Sequence, residues 1–374
     1  MRVLILTITT GQGHNQVAKN LCDCLSQCGA DAFSMDVFEY ITPVLKEVVS
    51  HGYLMSTKRL PKVYGKAYRM AEKRDADSKV IKITSSIMAR KLTKFINDYM
   101  PDVIICTHVF AAMLVSNIKK KIGKDTKSIG IVTDFTIHPY WEETDLDFYI
   151  TATELLNNQA VKKGISEDKV LAIGIPVDMK FSKAVSKQAA REELGFEQKK
   201  TVLVMSGSMG YGKFGKMIKQ LDEADLDFQI VSVCGHNAKL KKEIDKMKLN
   251  HKIYNYGFSD KIDLFMDAAD CIVTKPGGLT TSEALAKGLP IIMANPIPGH
   301  EDRNVEFLLN NGAAFKVSKT FPIDEAVYQM FTSDIRLEGM KKMAEKLGKK
   351  DAITKFTKFI MELEKGEDEI DEVN

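Results

Sequence analysis

Short apolar segments alternate with longer stretches of helical spacing along almost the whole chain, and this alternation constrains the fold most. The short segments are rich in β-branched residues and apolar at consecutive positions, which is typical of parallel strands covered on both faces. Strands separated by helices predict a doubly wound α/β architecture. The predicted strands are Val3–Ile8, Val103–Cys106, Ser128–Val132, Phe148–Ile150, Val170–Ile173, Thr201–Met205, Phe228–Val233, Lys252–Tyr254, Cys271–Thr274 and Pro290–Met293.

Ten strands are too many for one such sheet, and 374 residues allow two domains. A break falls at Gly174-Ile175-Pro176-Val177-Asp178, and a fresh strand begins at Thr201. We predict Rossmann-like domains over residues 1–180 and 181–350, followed by a C-terminal helix and acidic tail over 351–374. Ligands bind beyond the carboxyl ends of strands in such sheets. We therefore expect the two domains to face each other across a cleft.

Composition narrows the class of protein. The sequence has no run of about 18 apolar residues, so no membrane span is expected. The apolar start is brief and runs into a Gly-rich turn, unlike a signal peptide, so we expect an intracellular protein. Six cysteines fit a reducing compartment. Cys22, Cys24 and Cys28 cluster on a predicted helix without a fourth ligand nearby, so we interpret them as apolar residues and expect no metal.

Residues 40–99 form a predicted helical insertion that is basic and aromatic. Thirteen basic and four acidic residues lie between Lys46 and Lys94, a surplus of nine against a formal net charge of +3 for the chain. A solvated helical face, a nucleic-acid contact and an anionic membrane surface are the three interpretations.

Two polar segments follow predicted strands of the first half. The turn Gly11–His14 leaves backbone amides at a helix start, where a polar ligand or anion binds well, and His14 titrates near neutrality. Thr133–His138 runs from a strand into Asp134 and then His138. Asp134 is either a turn cap or a carboxylate that orients or assists a base.

Two Gly-rich segments follow strands of the second half. Ser206–Gly212 is either an ordinary turn or a phosphate contact. Thr274–Ala284 ends a strand, turns at Gly277 and Gly278, and enters a helix near Thr280 whose amides suit a diphosphate. Glu283 either completes a capping box with Thr280 or accepts hydrogen bonds from two ribose hydroxyls. The polar loop Pro296–Asn304 is suited to sugar hydroxyls.

Four motifs, and their order along the chain, give the sequence its resemblance to a known family. The chain resembles the diacylglycerol sugar transferases, bacterial and plant, which are similar to the peptidoglycan transferase MurG and share its GT-B fold. The resemblance covers roughly Arg2 to Leu347. The motifs are Gly11–His14, Thr133–His138, Pro276–Glu283 and Pro296–Asn304.

The resemblance implies transfer of a hexose, glucose or galactose, from a UDP-sugar to the hydroxyl of diacylglycerol, with inversion. It also implies no metal in the donor site, no nucleic-acid partner, and a protein bound to the cytoplasmic face of the membrane. The basic residues expected there are Lys58, Arg59, Lys62, Lys66 and Arg69.

Roles carry over by motif. We expect His14 beside the acceptor hydroxyl as the base, with Asp134 as its orienter or the alternative base. The donor would be bound by Gly13, Lys275, Pro276, Thr280 and Asn304, among others. Ser208 would reach a phosphate, Phe258 would border the uracil, Gly277 and Gly278 would lie at the diphosphate, Glu283 at the ribose, and His300 and Glu301 at the hexose.

The sequence departs from the family pattern at one position. Relatives commonly have Gln where this chain has His300, which bears on the choice between glucose and galactose. Three rival functions remain open at this point: MurG-type transfer to a lipid-linked precursor, a UDP-sugar 2-epimerase, and a non-catalytic module that binds UDP-sugar.

Overall fold

A computed structural model describes residues 1–9, 11–41, 79–123, 125–205 and 214–363, except the side chains of residues 79–87. Within these residues the chain divides into two compact units. The first comprises the described parts of Met1–Met179, Pro298–His300 and Asp351–Asn374, and the second comprises those of Lys180–Ile297 and Glu301–Lys350.

The first unit contains a parallel six-stranded sheet in the order β2-β1-β3-β4-β5-β6. β1 pairs with β2 on one side and β3 on the other, and its residues Val3 to Leu6 are fully buried. β2 is an edge strand. The strands are β1 Arg2–Thr7, β2 Asp31–Asp36, β3 Val103–Cys106, β4 Lys127–Ile131, β5 Phe148–Ile150 and β6 Val170–Leu171.

Helices cover this sheet, and the last one comes from the far end of the sequence. They are, numbered in chain order over the described residues, α1 Gln12–Gln27, α2 Val37–Ile41, α3 Lys79–Tyr99, α4 Val109–Ile118, α5 Asn157–Lys162 and α14 Ala352–Glu362. In α14, Thr357 Oγ1 lies 3.3 Å from Cys24 Sγ of α1, and Phe359 packs edge-on against Phe148 with ring centroids 5.1 Å apart.

The second unit contains another parallel six-stranded sheet, in the order β12-β11-β10-β7-β8-β9. Its strands are β7 Thr201–Met205, β8 Gln229–Val233, β9 Lys252–Tyr256, β10 Cys271–Thr274, β11 Ile291–Met293 and β12 Ala314–Lys316. Its helices are α6 Lys187–Leu194, α7 Phe214–Leu221, α8 Ala238–Ile244, α9 Ile262–Ala268, α10 Gly278–Ala286, α11 His300–Asn310, α12 Ile323–Phe331 and α13 Asp334–Leu347.

The predicted doubly wound α/β class is confirmed. Four strands have the predicted bounds: Val103–Cys106, Phe148–Ile150, Thr201–Met205 and Cys271–Thr274. The sequence analysis missed β2 and β12, the strands at one edge of each sheet. Of the predicted insertion, residues 42–78 lie outside the described residues, whereas Lys79–Tyr99 is helical as expected.

The structure also tests the expectations about the cysteines and about membrane spans. Cys22 and Cys24 lie on α1, Cys28 directly follows it, and all six cysteines are free. Across the described ranges, His, Cys, Asp and Glu side chains form no group of three or more that is suited to a metal ion. A search of the same ranges finds no helix long and apolar enough to cross a membrane.

Candidate functional site

In the first unit, polar residues lie together beyond the carboxyl ends of three neighbouring strands. His14 lies on the helix after β1, Thr107 follows β3, and Thr133 follows β4. The His14 Nδ1 atom lies 2.8 Å from the Thr107 carbonyl oxygen and 3.0 Å from Thr133 Oγ1. Because a carbonyl oxygen only accepts, this contact assigns the ring proton to Nδ1. The Nε2 atom of His14 is then the basic nitrogen.

The start of α1 differs from the prediction in one respect. The helix begins at Gln12 with Gly11 as its N-cap, so Gly13 and His14 lie within the first turn rather than before it. No side-chain hydrogen bond caps this end. Gly11 directly precedes the helix, and the backbone amides of the first turn suit a polar ligand.

Burial keeps His14 in its neutral form. Burial lowers the pKa of the His14 imidazole below its usual value, while Asp134 and the bond to the Thr107 carbonyl oppose the shift. A neutral imidazole at physiological pH has a lone pair available to accept a proton. Asp134 lies in the loop directly after β4, beside Thr133, as predicted.

Two more histidines lie in the same region, and the sequence analysis missed the nearer one. His108 follows β3, is 8% exposed, and contacts the His14 ring edge-on with centroids 4.6 Å apart. Burial and the neighbouring His14 hold the pKa of His108 well below its usual value. The signal for His108 was its place at the carboxyl end of a buried strand.

His138 caps a turn rather than standing alone. Its Nδ1 accepts a hydrogen bond from Tyr140 N at 3.1 Å, at the start of the helical turn Pro139–Glu143. Burial, followed by His300 and Lys163, lowers the pKa of His138 to about 4. His138 is therefore neutral, and its ring stabilises the start of this helical turn in the first unit.

In the second unit, the loop after β10 leads into a helix whose start the sequence analysis misplaced. α10 begins at Gly278 with Gly277 as N-cap, and no side chain caps it. Of the two interpretations of Glu283, the capping box with Thr280 is therefore excluded, because Thr280 is already the third helical residue. Thr280 and Glu283 are both half-buried on α10. The first amide of α10 is therefore that of the second glycine, Gly278.

Charged and amide side chains tie this loop to the one after β11. Glu301 is 1% exposed, and its Oε1 accepts from Lys275 Nζ at 2.5 Å while its Oε2 accepts from Ile297 N at 2.7 Å. The fully buried Asn304 donates from Nδ2 to the Pro276 carbonyl at 2.9 Å. Glu301 and Asn304, expected at the donor, thus hold the loop after β10 against the start of α11, and Glu301 also binds the loop after β11.

The remaining predicted donor residues lie in three different settings. Phe258 is 69% exposed and stacks on His236, with ring centroids 4.6 Å apart and planes at 14°. His300 begins α11, and its contacts group it with the first unit. Ser208 lies outside the described residues, as do the five basic residues predicted to contact a membrane.

Sequence comparison matches both halves of the chain to known families. The monogalactosyldiacylglycerol (MGDG) synthase family matches residues 14–177, and the glycosyltransferase family 28 C-terminal domain matches residues 201–356. A processive diacylglycerol beta-glucosyltransferase of Bacillus pumilus is 32% identical over 368 residues, which cover 96% of this chain and 94% of that protein.

Solved structures with the same fold include enzymes of different activity. MurG of Acinetobacter baumannii superposes with a TM-score of 0.61 at 14% identity, covering 96% of this chain and 99% of that chain. A UDP-GlcNAc 2-epimerase of Neisseria meningitidis gives 0.61 at 14% identity, covering 97% and 100%.

The two parallel sheets and their structural neighbours define a protein of the GT-B class. At this level of identity the structural likeness establishes the fold, while the sequence likeness identifies the family. The chain belongs to the diacylglycerol glycosyltransferase family.

Proposed function

We propose that this chain transfers a hexose from a UDP-sugar to the hydroxyl of diacylglycerol, with inversion at the anomeric carbon. Family membership supports the substrates, because relatives of similar length are diacylglycerol glucosyltransferases. The observation that carries the chemistry is the bond from His14 Nδ1 to the Thr107 carbonyl, which leaves Nε2 as a base. One in-line displacement needs such a base and a stabilised leaving group.

In the proposed step, His14 Nε2 takes the proton of the acceptor hydroxyl while that oxygen bonds to the anomeric carbon. The bond from this carbon to the diphosphate oxygen breaks, and UDP leaves with the electron pair. Asp134 orients His14 or is the alternative base, and its charge stabilises the imidazolium that forms, since it already raises the pKa of His14.

The second unit is proposed to bind the donor. The amide of Gly278 and the positive end of α10 suit the departing diphosphate. Gly277 is proposed to lie beside the diphosphate, while its own amide donates to the Lys275 carbonyl at 2.9 Å and closes the turn. Glu283 would accept from the ribose and the exposed Phe258 would border the uracil. Ser208, Gly13, Thr280 and His300 are further proposed contacts, while Lys275, Pro276, Glu301 and Asn304 fix the loops.

The test is turnover with radiolabelled UDP-glucose or UDP-galactose and diacylglycerol. Glycolipid on a thin-layer plate is expected, and its amount with each donor measures the sugar preference. Product on a lipid-linked precursor instead would favour MurG-type transfer, and an epimerised donor or no turnover would contradict the proposal. We also propose that the donor site needs no metal, so turnover should be unchanged in excess chelator.

We further propose that the first unit binds the anionic, cytoplasmic surface of the membrane. On α3, Arg90, Lys91 and Lys94 are exposed. One turn further along, Phe95 stacks parallel to Tyr99 with centroids 5.9 Å apart. A helix with basic residues next to aromatic ones suits the headgroup region of a bilayer.

Further aromatic residues, on β2 and α2, lie next to the basic and aromatic residues of α3. Phe33 on the edge strand β2 is 45% exposed and lies 6.2 Å from Tyr99, centroid to centroid. Tyr40 on α2 is 43% exposed and lies 5.0 Å from Phe95. Four partly exposed rings beside basic side chains support a membrane contact better than a solvated helix face.

Vesicle flotation tests this part of the proposal. The double variant Arg90→Glu/Lys94→Glu should bind anionic vesicles at least roughly tenfold more weakly, because each basic residue at such a surface contributes about 1 kcal/mol. Lys316→Glu/Lys319→Glu changes the net charge equally on the second unit and should bind like the parent protein. Equal weakening by both pairs, or salt-independent binding to neutral vesicles, would contradict a defined basic surface.

A further inference from the structure

We infer that His108 is a positioning residue for the transfer reaction, which fixes the ring plane of His14 and keeps the basic Nε2 of His14 in place. The inference rests on the proposed function, because it takes His14 as the group that accepts the proton. It concerns a residue that none of the sequence motifs above includes.

Thr107 and His108, two consecutive residues, hold His14 from different directions. Thr107 N donates to the Leu6 carbonyl at 3.0 Å, so the pairing between β1 and β3 continues to this point. The carbonyl of the same residue accepts from His14 Nδ1, and the His108 ring meets the His14 ring at 71°. A hydrogen bond at one atom leaves a ring free to rotate about it, whereas an added ring contact sets its plane.

The His108 ring is itself fixed in place. Its Nδ1 accepts from Phe110 N at 3.1 Å, which makes His108 the N-cap of α4, and the ring stacks on Phe110 at a centroid distance of 5.4 Å. Since Nδ1 accepts, the proton of neutral His108 lies on Nε2. His108 could take a second proton only at the atom that caps the helix, so it does not compete with His14 as a base.

The charged and titratable groups around the pair come from several elements. Asp134 after β4 raises the pKa of His14, and His300 lowers it. His138 and His300 both lower the pKa of His108. Burial is the largest influence on both rings. Removing the His108 ring admits water beside His14, so the pKa of His14 should rise.

Two substitutions separate the ring from the cap. His108→Asn keeps an N-cap acceptor but removes the ring, since Asn is a preferred N-cap residue. His108→Phe keeps an aromatic ring but removes the acceptor. We expect kcat of His108→Asn to fall roughly 10- to 100-fold with KM for the donor unchanged, because misplacing a base by about 1 Å costs as much as 10²-fold. His108→Phe should retain most of kcat.

The pH profile and NMR give readouts that a purely structural role would not move. The chain has seven histidines, so selective labelling of their rings gives few signals to assign. In His108→Asn, the titration of His14 and the acid limb of kcat/KM should shift together to higher pH. In His108→Phe both should stay near the parent values.

These experiments distinguish a failure of the inference about His108 from a failure of the proposed function. If the parent protein makes no glycolipid, the proposed function fails, while the NMR titrations still test the contact between the rings. If the parent is active and His108→Asn keeps its kcat and His14 titration, the inference is wrong. It is equally wrong if His108→Phe loses as much activity as His108→Asn, because keeping the ring would then give no advantage over keeping the cap.

Discussion

The two units carry polar side chains beyond the carboxyl ends of their strands and use them in different ways. In the first unit the His14 and His108 rings lie against each other, and burial keeps both neutral. In the second unit Lys275, in the loop after β10, forms an ion pair with Glu301 in the first turn of α11. In the proposed reaction, side chains of the first unit carry the chemistry, whereas side chains of the second unit hold backbone amides in position.

The largest effect should come from the proposed base of the first unit, His14. His14→Ala should reduce kcat by about 10²–10⁴-fold, the usual contribution of a general base, while the affinity for UDP stays at the parent value. Turnover at saturating donor and acceptor, with calorimetric UDP binding, measures the two. A variant with near-parental kcat, or one in which UDP affinity falls along with it, would break the division of labour between the units.

Removing Lys275 should cost the second unit more stability than removing its partner Glu301. Lys275→Met leaves the 1%-exposed Glu301 carboxylate without its partner and should cost about 3 kcal/mol of unfolding free energy. Glu301→Gln leaves a lysine whose side chain is 29% exposed, so about 1 kcal/mol is expected. Urea unfolding followed by circular dichroism compares them. Equal losses would mean that burial of Glu301 is not what makes the pair matter.

The first unit should lose stability as the pH falls. The folded pKa of His138, about 4, lies below the value near 6.5 of an unfolded histidine, so the stabilisation is complete above pH 6.5 and is lost towards pH 4. Because His138 is only half-buried, we expect about 1 kcal/mol less stability at pH 5 than at pH 7.5. The single tryptophan, Trp141, lies in this unit and reports its unfolding.

His138→Asn is the matched control for this pH dependence. Asn keeps an acceptor for Tyr140 N but does not titrate. Its urea midpoint should therefore change less between pH 7.5 and pH 5 than that of the parent. If the pH dependence of the urea midpoint is unchanged in this variant, His138 is not the cause of the loss of stability.

The smallest effect should come from the exposed ring of the second unit. Phe258→Ala removes a ring that stacks on His236 and is open to solvent on its other side. We expect UDP to bind about threefold more weakly, in keeping with the ~0.5–1.5 kcal/mol of a ring contact. The pH profile of kcat should be unchanged, and a shifted profile would mean that the second unit also influences the base.

The buried part of the fold could be predicted from sequence, because consecutive apolar residues leave little choice. Strands such as Val103–Cys106 and Cys271–Thr274 are fully buried, and the sequence predicted their bounds. β2, with the sequence Asp-Ala-Phe-Ser-Met-Asp, is mostly exposed or half-buried along one edge. Its pairing with β1, rather than its own composition, makes it a strand.

The candidate site was predictable where a motif marks it and not where only position does. His14 and the Gly277–Gly278 turn lie in motifs, and the sequence predicted both as site residues. His108 follows an ordinary buried strand, and its contact with His14 appears only when β3 lies beside β1. The start of α10 was misplaced because Thr280 and Glu283 have capping-box spacing, whereas the chain turns two residues earlier at Gly278.

The helix α14 has a consequence for how the chain is made. Phe356, Ile360 and Phe359 are buried in α14, which packs on α1 and on Phe148 of β5. During synthesis the ribosome delivers the whole second unit before these side chains emerge. The first unit therefore waits, with part of its apolar surface uncovered, until about 180 further residues have been translated. A fragment that stops near residue 180 should accordingly tend to aggregate, and adding residues 351–363 as a separate peptide should restore its cover.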